Sequence, residues 1–359
     1  MIKQYDLCYV GAGPATMFSV LKLVEEGYKG DILILEKGKS LRTRSRSEVI
    51  EGVFGAGTYS DSKISASIDV GGNIPGLTEE QLKKYEDYLL SEINKFKPDS
   101  MANFNWDKTK SFNTDPSSLV WDVHKTCHVG TDNGFIIYSN IENYIESQSN
   151  VTLLTETEVT EVINLSDGSF QVAVSHNKGK NVYRASKVII ATGQKGTLPI
   201  SIIRNNNLSS RPRALQLGVR VEDQINSQYE KIIKSNYDFK FVSSFNYENG
   251  IKGRIRTFCC NSGNAHTCAE VTPMGFTCFN GHALRAPDPT NHTVNYGIMC
   301  ELDGMPEYNS QSNQIEMMKK VNNLPTWKED NLDGFGNPSP KRNLLEGFEH
   351  LRGIYPDII

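Results

Sequence analysis

The chain of 359 residues contains no apolar run of membrane-spanning length, and no charged-then-apolar leader precedes its first strand-like segment. A soluble, cytoplasmic protein with no membrane partner is therefore expected. Charge of one sign is also scarce: 38 Lys and Arg against 42 Asp and Glu leave a formal charge of −4. That balance argues against a broad basic surface for gripping phosphate backbones, though a local basic patch stays compatible with it. The seven cysteines are an odd number and lack disulfide-framework spacing, which suits reduced thiols. No segment repeats at a solenoid period, and no low-complexity tract occurs. The length suffices for two domains and a sizeable core.

What the chain does have is concentrated near its start. Residues 5–36, YDLCYVGAGPATMFSVLKLVEEGYKGDILILE, read as strand, glycine turn, helix and strand, closing on a glutamate. Leu7 to Val10 form the first apolar run. Gly11 permits a sharp turn and Gly13 lets the backbone approach a pyrophosphate. The helix opening at Pro14, Ala15 and Thr16 offers free N–H groups and the positive end of its dipole. The second strand, Asp31 to Leu35, delivers Glu36 where a carboxylate accepts hydrogen bonds from ribose hydroxyls. Together these residues point to the ADP half of a dinucleotide. Thr16 departs from the pattern, because a glycine or alanine usually packs helix against strand there. A glycine turn that binds nothing is the competing reading.

Glu36 disfavours NADP, with its extra phosphate, but is silent between NAD and FAD. So early a position favours FAD. The basic stretch that follows, Lys37 through Arg42, Arg44 and Arg46, faces a pyrophosphate, an anionic substrate or simply solvent.

Further along, Thr78 to Phe96 has apolar residues Leu82, Tyr85, Leu89, Ile93 and Phe96 near helical spacing, and Gly134 to Ser147 reads as a second amphipathic helix. Residues 97–120 look irregular. Val151–Leu154, Glu158–Leu165, Phe170–Ser175 and Asn181–Arg184 alternate like an antiparallel meander with turns at SDG and NKGK, and Lys187 to Ala191 reads as a buried strand ended by Thr192 and Gly193. In a two-dinucleotide-binding flavoprotein such a meander leads to a parallel strand whose end passes the cofactor. Val159, Thr192 and Gly193 are candidate contacts on that basis. From about residue 200 the segments RALQLGVRVED, RIRTFCC, GFTCFNGHAL and NYGIMCEL look like a mostly antiparallel sheet, and NLLEGFEHLRG looks like a short helix.

Four blocks carry a resemblance to a known family: GAGPAT with Glu36, EGVFGAGTYSDSKIS at 51–65, HVGTDN at 128–133, and VIIATG followed by LQLGVRVED. The chain resembles the uncharacterised bacterial FAD-dependent dehydrogenases within the glutathione-reductase-like flavoproteins, over roughly residues 3–300. TFCCNSGN is similar to a distorted form of that family's FCxCPGG segment. The resemblance implies an α/β fold: a Rossmann-like FAD-binding domain of glutathione-reductase type with a second, mixed or antiparallel β-sheet substrate domain. The expected division is 1–75 and 120–200 for the FAD-binding domain with a helical insertion at 76–119, then 201–316 for the substrate domain, then 317–359 returning to the first. It further implies FAD as cofactor, with Gly55, Ala56, Gly57 and Ser60 beside it. Family members finish with a GEGAGYAGG segment, whereas this sequence ends YPDII and has Ser62 where the pattern shows glycine. The expected consequences are a flavin end closed differently, loosely held FAD, or a partner subunit completing the site.

Isoalloxazine performs the electron chemistry, so catalytic candidates are residues that orient or polarise beside it. Lys63 near the flavin would stabilise the anionic reduced form, and Asp61 either joins it there or only pairs with it. His128 is the acid–base candidate because imidazole titrates near neutral pH, against a buried or capping histidine. Asp132 either orients His128 or, preferably, caps the helix near Gly134; nothing distinguishes His124 from a surface histidine. Cys259 and Cys260, with His266, Cys268 and Cys278 nearby, do not have a standard zinc spacing, and no CxxxxC pair follows the first motif. They read as small buried strand residues. Arg211, Arg213, Arg220, Arg254 and Arg256 give the second domain an anion-friendly side.

With no second GxGxxG, a dedicated nicotinamide domain is not expected. The expected activity is that of an FAD-dependent oxidoreductase acting on a small polar, anionic molecule, with amine or amino-acid-like groups first by analogy. Flavin-dependent modification of a nucleoside or nucleic-acid base is an alternative, as is a cofactor-less binding protein on the same scaffold. Either an oligomer or a partner subunit is compatible with these readings.

Overall fold

The computed structural model describes residues 3–45, 48, 51–66, 76–100, 120–122, 125–177, 179–193, 202, 215–226, 230–233, 237–246, 252–271, 277–286 and 291–303. The chain divides into two compact units, Met1–Tyr59 with Gly134–Ser210 and Ser60–Asn133 with Arg211–Ile359. In chain order come β1 (Gln4–Val10), α1 (Pro14–Glu25), β2 (Ile32–Leu35), β3 (Lys63–Ala66), α2 (Glu79–Phe96), β4 (Val120–Asp122), β5 (Lys125–His128) and α3 (Thr131–Glu146). There follow β6 (Val151–Leu154), β7 (Thr157–Asn164), β8 (Phe170–His176), β9 (Gly179–Ile190), β10 (Leu215–Gln224), β11 (Lys240–Asn246), β12 (Lys252–Ser262), β13 (Ala265–Val271), β14 (Thr277–Ala283) and β15 (Thr293–Asp303).

The first unit holds a six-stranded sheet of order β6-β2-β1-β9-β8-β7. β6, β2, β1 and β9 run parallel, and β8 and β7 fold back antiparallel onto β9. β2, with sequence ILIL, is buried on both faces, as a central parallel strand should be. α1 buries Thr16, Met17, Val20 and Leu21 on one face. Its end is a Schellman turn: Gly27 at φ 77° donates to the Val24 carbonyl, and Tyr28 donates to that of Leu23. The core gathers Tyr5, Cys8, Val10, Leu33 and Leu35 with Val159, Val162, Val172, Val174 and Ala185.

Three expectations need correction here. β9 is one strand of 12 residues that joins the last meander segment to the return strand. Its end is not buried, since Ile190 is 36% exposed and Lys187 is exposed. Helix α3 starts at Thr131, three residues before Gly134.

In the second unit, an antiparallel sheet of order β10-β15-β12-β11-β4 is accompanied by the β13-β14 hairpin and the β3-β5 pair. Short polar strands such as KTCH and KISA give too little alternation to be read as strands in isolation. α2 begins with a capping box between Thr78 and Gln81. Its apolar stripe is offset from the expected one, because Tyr85 is 56% exposed while Glu86 and Glu92 are buried. The C-terminal helix expected at NLLEGFEHLRG lies outside the described residues, as do His124, Arg46, Arg211 and Arg213.

Candidate functional site

In the first unit the glycine turn is clamped from three directions. Gly11 adopts φ 97°, and a Cβ there would lie 2.5 Å from the Ala191 carbonyl oxygen at the end of β9. That end is drawn in by the Ala191 amide, which donates to the Val10 carbonyl at 2.8 Å. The Ala12 carbonyl accepts the Phe54 amide at 2.8 Å, which ties the GVFGAG loop to the turn. Phe54 is anchored by stacking on Tyr138 at 4.4 Å and meeting Phe18 edge-on at 5.9 Å. Thr16, the odd residue of the motif, is fully buried and donates its hydroxyl to the Gly11 carbonyl at 2.6 Å. The hydroxyl is accommodated because it finds a carbonyl where an apolar contact would otherwise be.

Glu36 closes the end of β2 and is 7% exposed. Its Oε2 accepts the Ala12 amide at 2.7 Å, and its Oε1 accepts those of Gly38 at 2.8 Å and Gly52 at 3.0 Å. A carboxylate has about four acceptor positions, so one remains, on Oε2. Beyond this clamp the surface opens. Pro14 and Ala15 are exposed, the first turn of α1 holds no acidic residue, and a Cβ at Gly13 would meet nothing within 4 Å. Such a helix start suits an anion.

The basic loop behaves differently from its sequence. Arg44 is buried, its Nε donating to the Glu48 carbonyl and its terminal nitrogens to the Val53 and Gly55 carbonyls and the Thr58 hydroxyl. It braces Glu48 and residues 53–58 from inside and lies over the Tyr59 ring at 4.9 Å. Arg42 pairs with Glu146, and Lys37 lies 3.7 Å from Glu158, both near the surface. Gly55, Ala56, Gly57 and Thr58 form a short 3-10 turn in which Ala56 is exposed and a Cβ at Gly57 meets nothing. Val159 points into the core, whereas Thr192 is half-buried and Gly193 exposed.

The second unit gathers the other candidates in one buried polar cluster. Lys63 Nζ donates to Asp238 Oδ1 at 3.1 Å and the Cys260 carbonyl at 2.9 Å, and lies 3.7 Å from Asp61 Oδ2. Asp238 also accepts the Cys260 amide and the Lys240 ammonium, at 2.9 and 3.0 Å. Tyr237 donates to Asp61 Oδ2 at 3.2 Å. Burial raises the Asp61 carboxyl against the pull of Lys63. Burial alone would discharge Lys63, but Asp61 and Asp238 outweigh it and raise its pKa, so the ammonium stays charged. Burial and then Asp61 hold the Tyr237 phenol well above its ordinary value. Neither Asp238 nor Tyr237 was marked by its sequence context, since only the fold brings them to the SDSK segment.

His128 stacks on Tyr237, with ring centroids 4.0 Å apart and planes 15° apart. It is hydrogen-bonded to the Ala283 backbone, while its buried Nε2 has no hydrogen-bond partner, so the bond falls to Nδ1. Desolvation first, then Arg285 and Lys63, push its pKa down to about 3. At neutral pH it is therefore an uncharged acceptor. Asp132 sits inside the first turn of α3 and is not its cap; it accepts the Arg285 and Ala286 amides at 2.9 and 3.0 Å. Cys260 is buried and donates to the Phe239 carbonyl, while Cys259 lies at a β-bulge with φ 49° and is only partly buried. Arg220 is buried against Asn295 and the Cys259 carbonyl, and Arg254 pairs with Glu301. Of these two arginines, Arg220 is committed inside the sheet, whereas Arg254 stays exposed beside Glu301.

No protein-family model matches the chain, and no curated protein matches it. Solved structures do. One is p-nitrophenol 4-monooxygenase from Pseudomonas putida DLL-E4, with 15% identity, 62% of this chain and 46% of that one covered, and a TM-score of 0.35. The anhydrotetracycline hydroxylase OxyS from Streptomyces rimosus shares 11% identity, with 87% and 49% covered and a TM-score of 0.39. NikD, an amino acid oxidase of nikkomycin biosynthesis, shares 14%, with 84% and 70% covered and a TM-score of 0.33. The chain spans less than half the length of the first two of these proteins.

Proposed function

We propose that the protein is an FAD-dependent oxidoreductase that removes hydride from a C–N or C–O carbon of a small, polar, anionic substrate. The observation that carries this reading is the turn from β1 through Gly11 into α1, with Glu36 at the end of β2 and Ala191 closing on Gly11. The residues present fit the nucleotide half of the cofactor. Gly13, Pro14 and Ala15 leave room for a pyrophosphate, the N–H groups coming from Gly13 and Ala15, and the remaining acceptor position of Glu36 suits one ribose hydroxyl. Lys37, Gly55, Ala56, Gly57, Thr192 and Gly193 are the further contacts proposed. When bound, FAD supplies the two-electron acceptor.

The chain's own contribution is positioning and charge. Lys63 provides a fixed positive charge whose proton is held by two carboxylates, with Asp61 as its counter-ion. At neutral pH His128 holds a lone pair at Nε2, and its one ring proton, on Nδ1, is engaged by the Ala283 backbone. The substrate is either an amine or an alcohol, and the NikD likeness, to an amino acid oxidase, is an analogy for the first. The test is the visible spectrum of the purified chain, followed by anaerobic titration with amines and hydroxy acids. A yellow protein that releases FAD and is bleached by one of them is the expected result. No bleaching by any of them would count against the reading.

A cofactor-less binding protein is the second reading. It is favoured by the Ala12 amide and three acceptor positions of Glu36 being taken up inside the protein. Its mark is a colourless protein that stays apo in excess FAD.

A further inference from the structure

Arg44 bridges the backbone on either side of a strained residue. Phe54 adopts φ 62°, a left-handed conformation uncommon for a bulky side chain. The Arg44 guanidinium donates to the Val53 and Gly55 carbonyls, each at 2.9 Å, one on either side of it. It also reaches the Thr58 hydroxyl at 3.2 Å, and its Nε donates to the Glu48 carbonyl at 2.8 Å. Arg44 is itself seated: its amide donates to the Ser40 carbonyl at 2.9 Å, and its carbonyl accepts the Tyr59 hydroxyl at 3.1 Å. Gly52 makes room for the stem, since a Cβ there would stand 2.8 Å from Arg44 Cδ. Backbone strain of this kind persists only where the surroundings over-determine it.

The segment so held borders the start of α1. The Phe54 amide donates to the Ala12 carbonyl at 2.8 Å. A Cβ at Gly55 would lie 3.9 Å from both Gly13 Cα and Pro14 Cδ, so the two stretches touch. Pro14, Ala15 and Ala56 are exposed, and a Cβ at Gly13 or Gly57 would meet nothing within 4 Å. Two bare stretches of backbone, 13–15 and 55–57, therefore lie side by side. Arg44 is only 6% exposed and turns its guanidinium to carbonyls of the second stretch and its neighbours.

We infer that Arg44 is a positioning residue for the cofactor's diphosphate, keeping residues 53–58 against α1 without meeting a phosphate itself. That a diphosphate lies there rests on the nucleotide reading proposed above. A guanidinium suits this task because its planar fork of donors reaches carbonyls on both sides of Phe54, whereas an ammonium is a single point of charge. A direct phosphate contact, as the basic stretch of sequence suggests, would depend on charge and leave the empty loop unchanged.

The experiment compares the full-length parent with Arg44→Lys and Arg44→Ala, at a temperature where urea unfolding shows each variant folded. Two quantities are read: calorimetric affinity for FAD and ADP, and hydrogen exchange across residues 51–59 before any nucleotide is added. Both variants should bind FAD and ADP at least about tenfold more weakly, as the loss of one or two hydrogen bonds allows, and should exchange faster. Methylguanidine should restore both quantities in Arg44→Ala, and methylamine should restore neither. A general loss of stability would not be repaired so selectively. If Arg44→Ala does not fold, Thr58→Val, which removes one acceptor at similar size, should move both readouts the same way by less. Affinity in Arg44→Lys equal to the parent's, or weakened affinity with unchanged exchange, would overturn the inference and leave the flavin reading standing. A parent that binds neither FAD nor ADP would sink the flavin reading and the inference with it.

Discussion

The Glu36 carboxylate lies 2.7 Å from the Ala12 amide, and through that bond the end of β2 holds the glycine turn. The same carboxylate gathers Gly38 and Gly52, so three separate stretches of backbone converge on one side chain. Removing it leaves three buried donors, each typically costing about 1–3 kcal/mol. Glu36→Ala is therefore expected to lower stability by several kcal/mol, read from urea unfolding. Glu36→Gln keeps one oxygen and should fall between the two. If the nucleotide reading holds, the Gln variant should also bind FAD about tenfold more weakly, measured by flavin fluorescence.

Two glycines of the same motif should respond in opposite ways. Gly11 combines φ 97° with a carbonyl 2.5 Å from where a Cβ would stand. Gly11→Ala is expected to destabilise the fold by more than about 2 kcal/mol, from strain and overpacking together. Gly13 has φ −70° and open space, so Gly13→Ala should leave thermal stability within about 0.5 kcal/mol of the parent. What it should lose is cofactor affinity, because the methyl stands where the pyrophosphate is proposed to approach. A Gly13→Ala chain that binds FAD as well as the parent would remove the pyrophosphate from this turn.

The nucleotide-type unit was legible in the sequence because its signals are local. A buried run, a glycine turn and an acidic strand end all fall within about thirty residues. Glu36 was recognisable as the closing residue, but its inward bonds to Gly38 and Gly52 were not, since they depend on how the following loop folds back. Arg44 shows the same limit: beside other basic residues it reads as surface charge, yet it braces carbonyls as far along the chain as Gly55. In the second unit, Lys63 was singled out from its block, whereas Asp238 lies 175 residues away and is brought to it only by tertiary structure. Helix α3 was placed late because Asp132 looks like a cap and instead serves the chain after β14.

Lys63 and its two carboxylates form a buried ionic group whose members are not equivalent. Asp238 has Lys240 and the Cys260 amide besides Lys63, whereas Asp61 has chiefly Lys63 and Tyr237. Lys63→Met should cost about 3–5 kcal/mol, because it strands a buried carboxylate. Adding Asp61→Asn should recover a measurable part of that loss, while adding Asp238→Asn should not. A double-mutant cycle in chemical denaturation separates the cases.

Glu142 offers a pH-dependent test in the first unit, away from both groups above. It is fully buried on α3, accepts the Leu41 amide at 3.2 Å through Oε2, and leaves Oε1 without a hydrogen bond. Burial raises its pKa above the ordinary carboxylate value, more than the Ser40 hydroxyl lowers it. The folded state therefore binds its proton more tightly than the unfolded chain does. Its favourable contribution is complete below the unfolded pKa, about 4.5, and is lost as pH rises through the higher folded value. Glu142→Gln mimics the protonated form and should remove that loss. Relative to the parent, its Tm should rise between pH 4.5 and pH 7.5. A difference in Tm that is the same at both pH values would show that the carboxyl titrates alike in the folded and unfolded chain.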